Sequence, residues 1–334
     1  MPDWLTPGLV AVLLLAVAFD YVNGFHDTAN AIATSISTRA LRPSHAIAIS
    51  SVANFIGALT GTAVAKTIGS GLVNEVDTNL VVVAASLIGA ISWNLITWRL
   101  GIPSSSSYAL IGGLLGASAA AAGFASWDIE GIVNKVLIPL LTSPLIGFGL
   151  AFVLMVVLLN VFRRANPKRV NGGFRRAQVG SATFMAFSHG SNDAQKTMGI
   201  MTLALFSAGA IDEFEVPLWV IVVAASAISL GTAAGGWRII KTMGSKVVKL
   251  DPVHGFAAET TAALTILGAS RLGIPLSTTQ VISSAIMGAG SSDRFNAVRW
   301  VVARNIGVAW VLTLPAAGLM GAGAYWVLAA VLPT

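Results

Sequence analysis

The sequence predicts an all-α polytopic membrane protein that consists of two homologous halves with inverted topology. Of its 334 residues, 55% are hydrophobic and only 10% are charged, whereas a soluble globular chain carries about 25% charged residues. Apolar runs near the ~20 residues that a helix needs to cross a bilayer recur along the whole chain. Segments of the first half also return in the second half, in the same order. These observations exclude a water-soluble fold and place nearly the entire chain in the membrane.

The membrane segments are predicted to be helices and not β-strands. The apolar runs cover residues 5–19, 46–64, 80–98, 147–162, 218–234 and 300–314. The 34 glycines and the many Ala, Ser and Thr residues favour close helix packing, and the runs do not alternate in polarity as membrane strands do. The first run follows no positively charged segment, so we expect it to be a retained span and not a cleaved signal. The lack of cysteine excludes disulfides, thiolate metal sites and cysteine nucleophiles.

Three pairs of segments define an internal repeat. GFHDTANAIAT at 24–34 matches GSNDAQKTMGI at 190–200, LGIPSSSS at 100–107 matches LGIPLSTT at 272–279, and LTSP at 141–144 matches LTLP at 312–315. The offsets are 166, 172 and 171 residues. Matches in the same order with nearly constant spacing indicate a duplication, and each copy is far longer than a solenoid repeat. We expect the first half to span residues 1–165 and the second half to span residues 166–334.

The charged residues predict the orientation of the chain. The richest cationic stretch covers 163–169 and continues with Arg175 and Arg176, at the midpoint of the sequence. The positive-inside rule places this central basic loop in the cytoplasm. Because the basic residues lie in short loops between apolar runs, the net charge of +6 indicates a multi-pass protein of the cell membrane and not nucleic-acid binding.

Equivalent loops of the two halves carry opposite charge. The loop at 39–42 is basic and its counterpart at 212–215 is acidic, while the loop at 75–77 is acidic and its counterpart at 238–249 is basic. Equivalent loops on opposite sides of the membrane require an odd number of crossings per half. Five crossings per half fit the lengths of the runs, with both termini outside, and many secondary transporters have this architecture.

Polar residues interrupt the apolar pattern once in each half. These groups are Asn23, His26, Asp27 and Asn30, and His189, Asn192, Asp193, Gln195 and Lys196. Ionisable groups at this depth are rare unless they face a cavity or a partner. Carboxylate and amide oxygens are ligands for hard cations, so Asp27 and Asp193 are predicted to bind sodium, with further oxygens from Asn23, Asn30 and Asn192. The alternative is that these side chains only bond neighbouring helices.

A second kind of polar segment, which we call the Pro-Ser segment, also occurs once per half, at 102–107 and 274–279. Proline is accepted in the first turn of a helix, and Ser or Thr beside it can cap free N–H groups. Both segments are therefore predicted to begin helices inside the membrane. Free N–H groups and clustered hydroxyls can bind a tetrahedral oxyanion. The alternative is that the hydroxyls only bond their own helix or allow close packing.

An oxyanion beside Asp27 and Asp193 requires cations, because burying an unpaired charge is costly. Sodium ions that bridge the acids and the anion would neutralise the site, which predicts coupled transport. Lys196 holds the position of Asn30 in the other half, and we expect it either to contact the anion or to neutralise Asp193.

Other polar residues have weaker predictions. Arg99 and Arg271 match each other in the repeat and are expected to anchor at the membrane interface, with attraction of the anion as the alternative. Glu259 lies in an apolar run, where a role as a gate or ion ligand is the less favoured alternative. His45 and His254 lie near predicted helix ends and receive no role.

Four segments resemble the inorganic phosphate transporter family, the Pit or PiT group, and especially its bacterial members. They are GFHDTANAIAT, IPSSSSY, AFSHGSNDAQKTMGI and GIPLSTTQ, and the resemblance runs the length of the chain. It implies an inverted repeat of ten to twelve transmembrane helices with broken or re-entrant hairpins, phosphate at the centre, and sodium or proton coupling. We expect a transporter and not an enzyme, with no cofactor beyond co-transported sodium ions. The assembly state is left open, with a homodimer as one alternative.

The phosphate-binding residues that we expect are Ser105, Ser106, Ser107, Ser277, Thr278, Thr279, Asn30, Gln195 and Lys196. Tyr108 and Gln280 stand where many bacterial relatives have His, which favours sodium over protons as the driving ion. Alternatives of the same fold are a proton-coupled transporter of phosphate or metal phosphate, and a sulfate transporter. An intramembrane aspartyl protease would need a GxGD-type motif, which neither aspartate has, and a passive channel fits broken, inverted segments less well.

Overall fold

The computed structural model describes residues 5–73 and 79–331, and these residues form a helical protein. Their α-helices, in chain order, are α1 (Pro7–Ser37), α2 (Pro43–Ala58), α3 (Ala63–Ser70), α4 (Leu80–Leu100), α5 (Ser106–Ala122), α6 (Ile129–Ile132), α7 (Ile138–Phe162), α8 (Pro167–Ser207), α9 (Leu218–Ala234), α10 (Trp237–Lys241), α11 (Pro252–Arg271), α12 (Thr278–Ser291) and α13 (Trp300–Val331). A π-helical turn at Val133–Leu137 joins α6 to α7, and another at Thr242–Lys246 extends α10. The all-α prediction is confirmed. The predicted acidic loop with Glu75 and Asp77 lies outside the described residues.

Several of these helices are long and apolar enough to cross a membrane. They are α1, α4, α13 and the continuous stretch Ile129–Phe162. Two further pairs pass the same test only together, because α2 and α3 are bent by 74° and α9 and α10 by 60°. The second bend contains Gly235, whose φ of 73° is one that L residues rarely adopt. The bent pairs agree with the prediction of broken helices.

The order of the elements repeats along the chain. A long helix, a bent pair, a single helix, a helix after a Pro-Ser segment and a long final helix occur first in α1–α7 and again in α8–α13. Each final helix also contains an interior proline, Pro144 in α7 and Pro315 in α13. The duplication that the sequence predicts is therefore visible as a duplication of structure.

Glycines bring the first helix of each half against the bent pair of the other half. A Cβ on Gly24 of α1 would lie 2.3 Å from the carbonyl oxygen of Ile228 in α9. A Cβ on Gly190 of α8 would lie 2.1 Å from the carbonyl oxygen of Asn54 in α2. Gly24 and Gly190 are equivalent in the repeat. Because the backbones touch without room for a side chain, the two halves pack as one unit.

We expect Gly190→Ala to lower the thermal stability of the protein, because the new methyl group forces α2 and α8 apart. Overpacking of this kind costs about 1–3 kcal/mol. Gly180→Ala on the same helix is the matched control, because a Cβ there meets nothing within 4 Å. Thermal unfolding of both variants in detergent checks the prediction, and equal unfolding temperatures would contradict it.

Two hydrogen bonds, equivalent in the two halves, hold the loops that precede the Pro-Ser segments. Thr67 of α3 donates to the carbonyl oxygen of Gly273 at 2.8 Å, and Thr242 after α10 donates to that of Gly101 at 2.9 Å. Gly101 and Gly273 have φ values of 67° and 69°, a conformation that suits glycine. Each bond crosses from one half to the other, so the bent pair of each half positions the Pro-Ser segment of the opposite half.

The connection between the halves is shorter than predicted. Helix α8 already begins at Pro167, with the Oδ1 atom of its N-cap Asn166 accepting from the backbone N–H of Lys168 at 3.0 Å. Arg175 and Arg176 therefore lie within a helix and not in a loop. An Asn cap followed by Pro at the first helical position is a strong signal for a helix start, and it leaves only residues 163–166 between α7 and α8.

Candidate functional site

The structure brings the two predicted aspartates together. Asp27 lies in the middle of α1 and Asp193 in the middle of α8, and both side chains are buried. Asp27, Asp193 and His189 each offer one ligand atom, and these atoms lie within 4.8 Å of one another. Two carboxylates at this separation repel each other strongly in a medium of low dielectric. The arrangement therefore favours the binding of positive charge.

The two Pro-Ser segments meet beside these acids. Each contains a serine N-cap: the Ser105 hydroxyl accepts from the backbone N–H of Tyr108, and the Ser277 hydroxyl from that of Gln280, both at 3.2 Å. The Ser107 hydroxyl in α5 donates to the carbonyl oxygen of Leu276 at 3.4 Å, which joins the two segments. The N-termini of α5 and α12 thus lie together inside the protein.

The prediction that the prolines occupy the first helical turn is wrong. Pro103 and Pro275 each precede the N-cap serine by two residues, and α5 and α12 begin only after that serine. The cap hydrogen bond selects the serine because its side chain satisfies a free backbone N–H. Proline instead restricts the extended backbone that leads to the cap.

Hydroxyls of the first turn of α12 donate to both carboxylates. Thr278 donates to Oδ2 of Asp193 at 3.0 Å, and Thr279 donates to Oδ1 of Asp27 at 3.4 Å. The Nδ2 group of Asn30 donates to the Thr279 hydroxyl at 2.9 Å and to the Thr278 hydroxyl at 3.3 Å. Acids, amide and hydroxyls therefore form one connected network.

Lys196 lies at the centre of the contacts between the segments. Its ammonium group forms an ion pair with Asp193, donates to the Ser107 hydroxyl, and donates to the carbonyl oxygen of Leu276 at 2.9 Å. The side chain is buried, which is rare for lysine unless it is paired. Of the two roles expected from the sequence, the neutralisation of Asp193 is present, and the contact with the anion stays a prediction.

Two histidines, to which sequence reasoning gave no role, also belong to the site. Nδ1 of His26 lies 2.7 Å from Oδ1 of Asp27, and Nε2 of His189 lies 3.2 Å from Oδ2 of Asp193. The repeat contains the signal that could have found them. His26 is equivalent to Asn192 and Asn23 is equivalent to His189, so the two halves exchange His and Asn at two positions around the aspartate.

The three predicted asparagine ligands share one feature. The side-chain oxygens of Asn23, Asn30 and Asn192 are buried and accept no hydrogen bond within the part of the chain that the structure describes. A buried polar atom without a partner costs about 1–3 kcal/mol. Sodium binds amide oxygens, so a cation would satisfy these atoms. The donor set therefore fits the predicted ion.

Gln195 does not join this network, so its predicted phosphate contact is corrected. Its Oε1 accepts from the backbone N–H of Val64 at 2.8 Å, and its Nε2 donates to the carbonyl oxygen of Ser191 at 2.7 Å. Both polar groups are used to connect α8 with the start of α3. Gln195 follows Asp193 by two residues, which turns it about 200° around the helix and away from the site.

The residues with weaker predictions lie elsewhere. Arg99, Arg271 and His45 are exposed, and His254 forms an ion pair with Asp293 at 3.1 Å.

Glu259 of α11 is buried apart from the two aspartates. It accepts hydrogen bonds from Thr34 of α1, and from Gln178 (3.1 Å) and Ser181 of α8. Glu259 thus ties three helices together through neutral donors.

The fold and this site define a class of protein: a membrane transporter built from two interlocked repeats, with buried acids and hydroxyl-rich helix N-termini where the repeats meet. A sequence model of the phosphate transporter family matches residues 23–169 and again residues 161–321. The chain belongs to this family, and the predicted resemblance is confirmed. It is a transporter and not an enzyme, as predicted.

Similar proteins agree with this assignment. The chain is 48% identical over 322 residues to the probable low-affinity inorganic phosphate transporter of Bacillus subtilis (strain 168), with 96% of each chain covered. It is 49% identical over 322 residues to the protein of the same description from Rhizobium meliloti (strain 1021), again with 96% of each covered. A solved structure described as the sodium-dependent phosphate transporter superposes with a TM-score of 0.85 at 24% identity, covering 98% of this chain and 100% of that one. That likeness shows a shared fold.

Proposed function

We propose that this protein is a secondary active transporter that imports inorganic phosphate across the cell membrane together with sodium ions. Both solutes bind where the two halves meet, and the connection at 163–166 faces the cytoplasm. The observation that carries the proposal is the meeting of two helix N-termini, rich in hydroxyls, with the buried pair Asp27 and Asp193. The names of the similar transporters support phosphate as the solute. The described function of the solved structure with the same fold supports sodium as its partner.

The donors around the Pro-Ser segments suit an oxyanion such as phosphate. Helix N-termini present free N–H groups and a partial positive charge. The hydroxyls of Ser106 and Ser107 in α5 and of Thr278 and Thr279 in α12 add donors from two directions. Lys196 supplies a fixed positive charge in contact with both segments. A tetrahedral anion needs donors on several sides, and two converging N-termini provide them.

The hydroxyl protons explain why sodium would bind before phosphate. A hydroxyl has one proton, and Thr278 and Thr279 donate theirs to Asp193 and Asp27. Sodium bound to the carboxylates would satisfy these oxygens and release both hydroxyls to donate to the anion. Sodium also removes the repulsion between the acids and the phosphate. Because sodium both releases the two hydroxyls and removes this repulsion, the affinity for phosphate should depend on sodium.

Uptake into proteoliposomes tests the proposal. We expect labelled phosphate to accumulate against its own gradient when an inward sodium gradient is applied, and a tenfold excess of sulfate to leave uptake unchanged. Accumulation distinguishes a coupled transporter from a channel. Phosphate uptake that is independent of the sodium gradient would contradict sodium coupling. Inhibition by sulfate would contradict selectivity for phosphate over sulfate.

The histidines favour one second candidate, the transport of phosphate or of a metal phosphate coupled to protons. His26 and His189 each contact one of the aspartates, and an imidazole can accept or donate a proton. In this alternative a proton replaces sodium as the charge that allows the anion to bind. An inward proton gradient without sodium, applied with and without Mg²⁺, separates the two functions, because only the second candidate accumulates phosphate under these conditions.

A further inference from the structure

We infer that Asp20 and Asn23 form a separate cation site on α1, which binds one sodium ion in addition to those held by Asp27 and Asp193. This inference rests on the proposed function and concerns the number of ions that move with each phosphate. Asp20 takes no part in the repeat, because its equivalent in the second half is Ala186.

One side-chain oxygen of each residue in this pair accepts no well-formed hydrogen bond from the described residues. Asp20 is fully buried, and its Oδ1 accepts one long hydrogen bond of 3.5 Å from Nδ2 of Asn23. Its Oδ2 accepts none of good geometry from the described residues, and the Thr197 hydroxyl of α8 is its other polar neighbour. The side-chain oxygen of Asn23 also accepts none from them, and we reassign this oxygen from the ion at the aspartate pair to the ion at Asp20. Residues three apart lie on one face of a helix, so two free oxygens face the same region. Carboxylate and amide oxygens are the ligands that hard cations prefer.

The ammonium of Lys196, a positive charge near Asp20, contacts other groups. Asp20 senses the charges of Asp193 and Lys196 on the neighbouring helix α8. The ammonium of Lys196, however, contacts Asp193, Ser107 and the carbonyl oxygen of Leu276. The carboxylate of Asp193 repels Asp20 and the ammonium of Lys196 attracts it, so Asp20 has neither a net favourable field nor an ion pair on α8. A buried carboxylate without a paired cation is unfavourable by several kcal/mol, and a bound ion would remove this cost.

The ion at Asp20 is distinct from the one at the aspartate pair. Asp20 precedes Asp27 by seven residues, which is about 10 Å along a helix that rises about 1.5 Å per residue. Oxygens that share one cation lie on opposite sides of it at about 2.3–2.6 Å each for an ion of similar size. The separation of the two backbone positions favours one ion at each carboxylate. The site lies about two turns closer than Asp27 to the N-terminus of α1, which the predicted topology places on the outer side.

Charge counting gives the consequence for transport. With both histidines neutral, Asp27 and Asp193 outweigh Lys196 by one negative charge, and Asp20 raises the excess to two. Neutral loading with a given phosphate species therefore needs one more sodium ion when Asp20 is ionised than when residue 20 is neutral. Asp20→Asn should lower the ratio of sodium to phosphate by one.

The coupling ratio in proteoliposomes tests this inference. The membrane potential at which phosphate flux reverses gives the ratio, for wild type, Asp20→Asn and the control Asp212→Asn, whose carboxylate is exposed in a loop. We expect Asp20→Asn to keep sodium-dependent uptake with one sodium ion fewer per phosphate, and Asp212→Asn to match wild type. An unchanged ratio in Asp20→Asn would overturn the inference.

Equilibrium binding of labelled sodium to purified protein without phosphate gives a second readout. We expect Asp20→Asn to bind one ion fewer than wild type. Asn23→Val keeps the carboxylate and removes the amide oxygen, so it should weaken the affinity for that ion by at least about tenfold, and this variant serves if Asp20→Asn does not fold. Equal sodium binding by wild type and the folded variant would refute the site. Sodium-independent uptake by wild type would instead refute the proposed function.

Discussion

Asp27→Asn and Asp193→Asn are each expected to abolish sodium-dependent phosphate uptake while the protein still inserts into the membrane. Asparagine keeps the shape of the side chain and a carbonyl oxygen for the threonine hydroxyl, but it removes the charge that holds sodium. The loss of one partner from a buried charged site costs about 3–5 kcal/mol. At about 1.4 kcal/mol per factor of ten, uptake should fall below about 1% of wild type.

The two variants should differ in stability. Asp193→Asn leaves the buried ammonium of Lys196 without its acid, whereas Asp27→Asn leaves only the contacts of His26 and Thr279 to adapt. Asp193→Asn should therefore unfold at the lower temperature of the two. Asp212→Asn is the matched control for uptake, since the same change is made on an exposed loop. Normal sodium-dependent uptake by either site variant would contradict the role assigned to that aspartate.

The sequence predicted the parts of the site that occur twice. Asp27 and Asp193 stood out because each follows a glycine at the same spacing in both halves, and the Pro-Ser segments stood out for the same reason. Comparison of the two halves finds functional residues that occur at equivalent positions in both, and it misses those that occur in only one half. Asp20 has alanine as its equivalent and directly follows an apolar run, which is why only the structure revealed it as a buried acid beside α8.

The sequence predicts that a helix begins in each Pro-Ser segment, but it does not predict which of several neighbouring hydroxyl residues is the N-cap. Four serines follow Pro103, and each of them can cap a helix, so the sequence alone did not select Ser105. The turn of Gln195 away from Asp193 was available from helix geometry, because two residues correspond to about 200°. Gln195 has Ala29 as its equivalent in the first half, so the repeat gave no support for a shared role at this position.

The interlocking of the halves was beyond sequence reasoning. Gly24 and Gly190 can be read as small residues that allow close packing, but their partners Ile228 and Asn54 carry no signal that connects them. The partner choice depends on how two inverted bundles fit in three dimensions. These contacts between the halves place the Pro-Ser segment of one half beside the bent pair of the other. They thereby bring the N-termini of α5 and α12 to one site.

Lys196→Met should destabilise the protein strongly and abolish transport. Removal of the ammonium leaves Asp193 buried without a fixed countercharge, at a cost of about 3–5 kcal/mol, which corresponds to a fall of roughly 5–10 °C in unfolding temperature for a chain of this size. Lys249→Met is the control, since Lys249 is exposed and its loss should leave the unfolding temperature unchanged. Thermal unfolding in sodium-free detergent solution measures both.

The double variant Lys196→Met with Asp193→Asn separates the two roles of the lysine. If Lys196 neutralises Asp193, removing both charges should restore at least half of the unfolding temperature that Lys196→Met loses, because no unpaired charge is left in the site. Phosphate uptake should stay absent, since the anion has lost its fixed positive ligand and sodium has lost one of its acids. A double variant as unstable as Lys196→Met alone would show that the ion pair is not what the lysine stabilises. In that case its contacts with Ser107 and Leu276, which hold the two Pro-Ser segments together, would account for the whole effect.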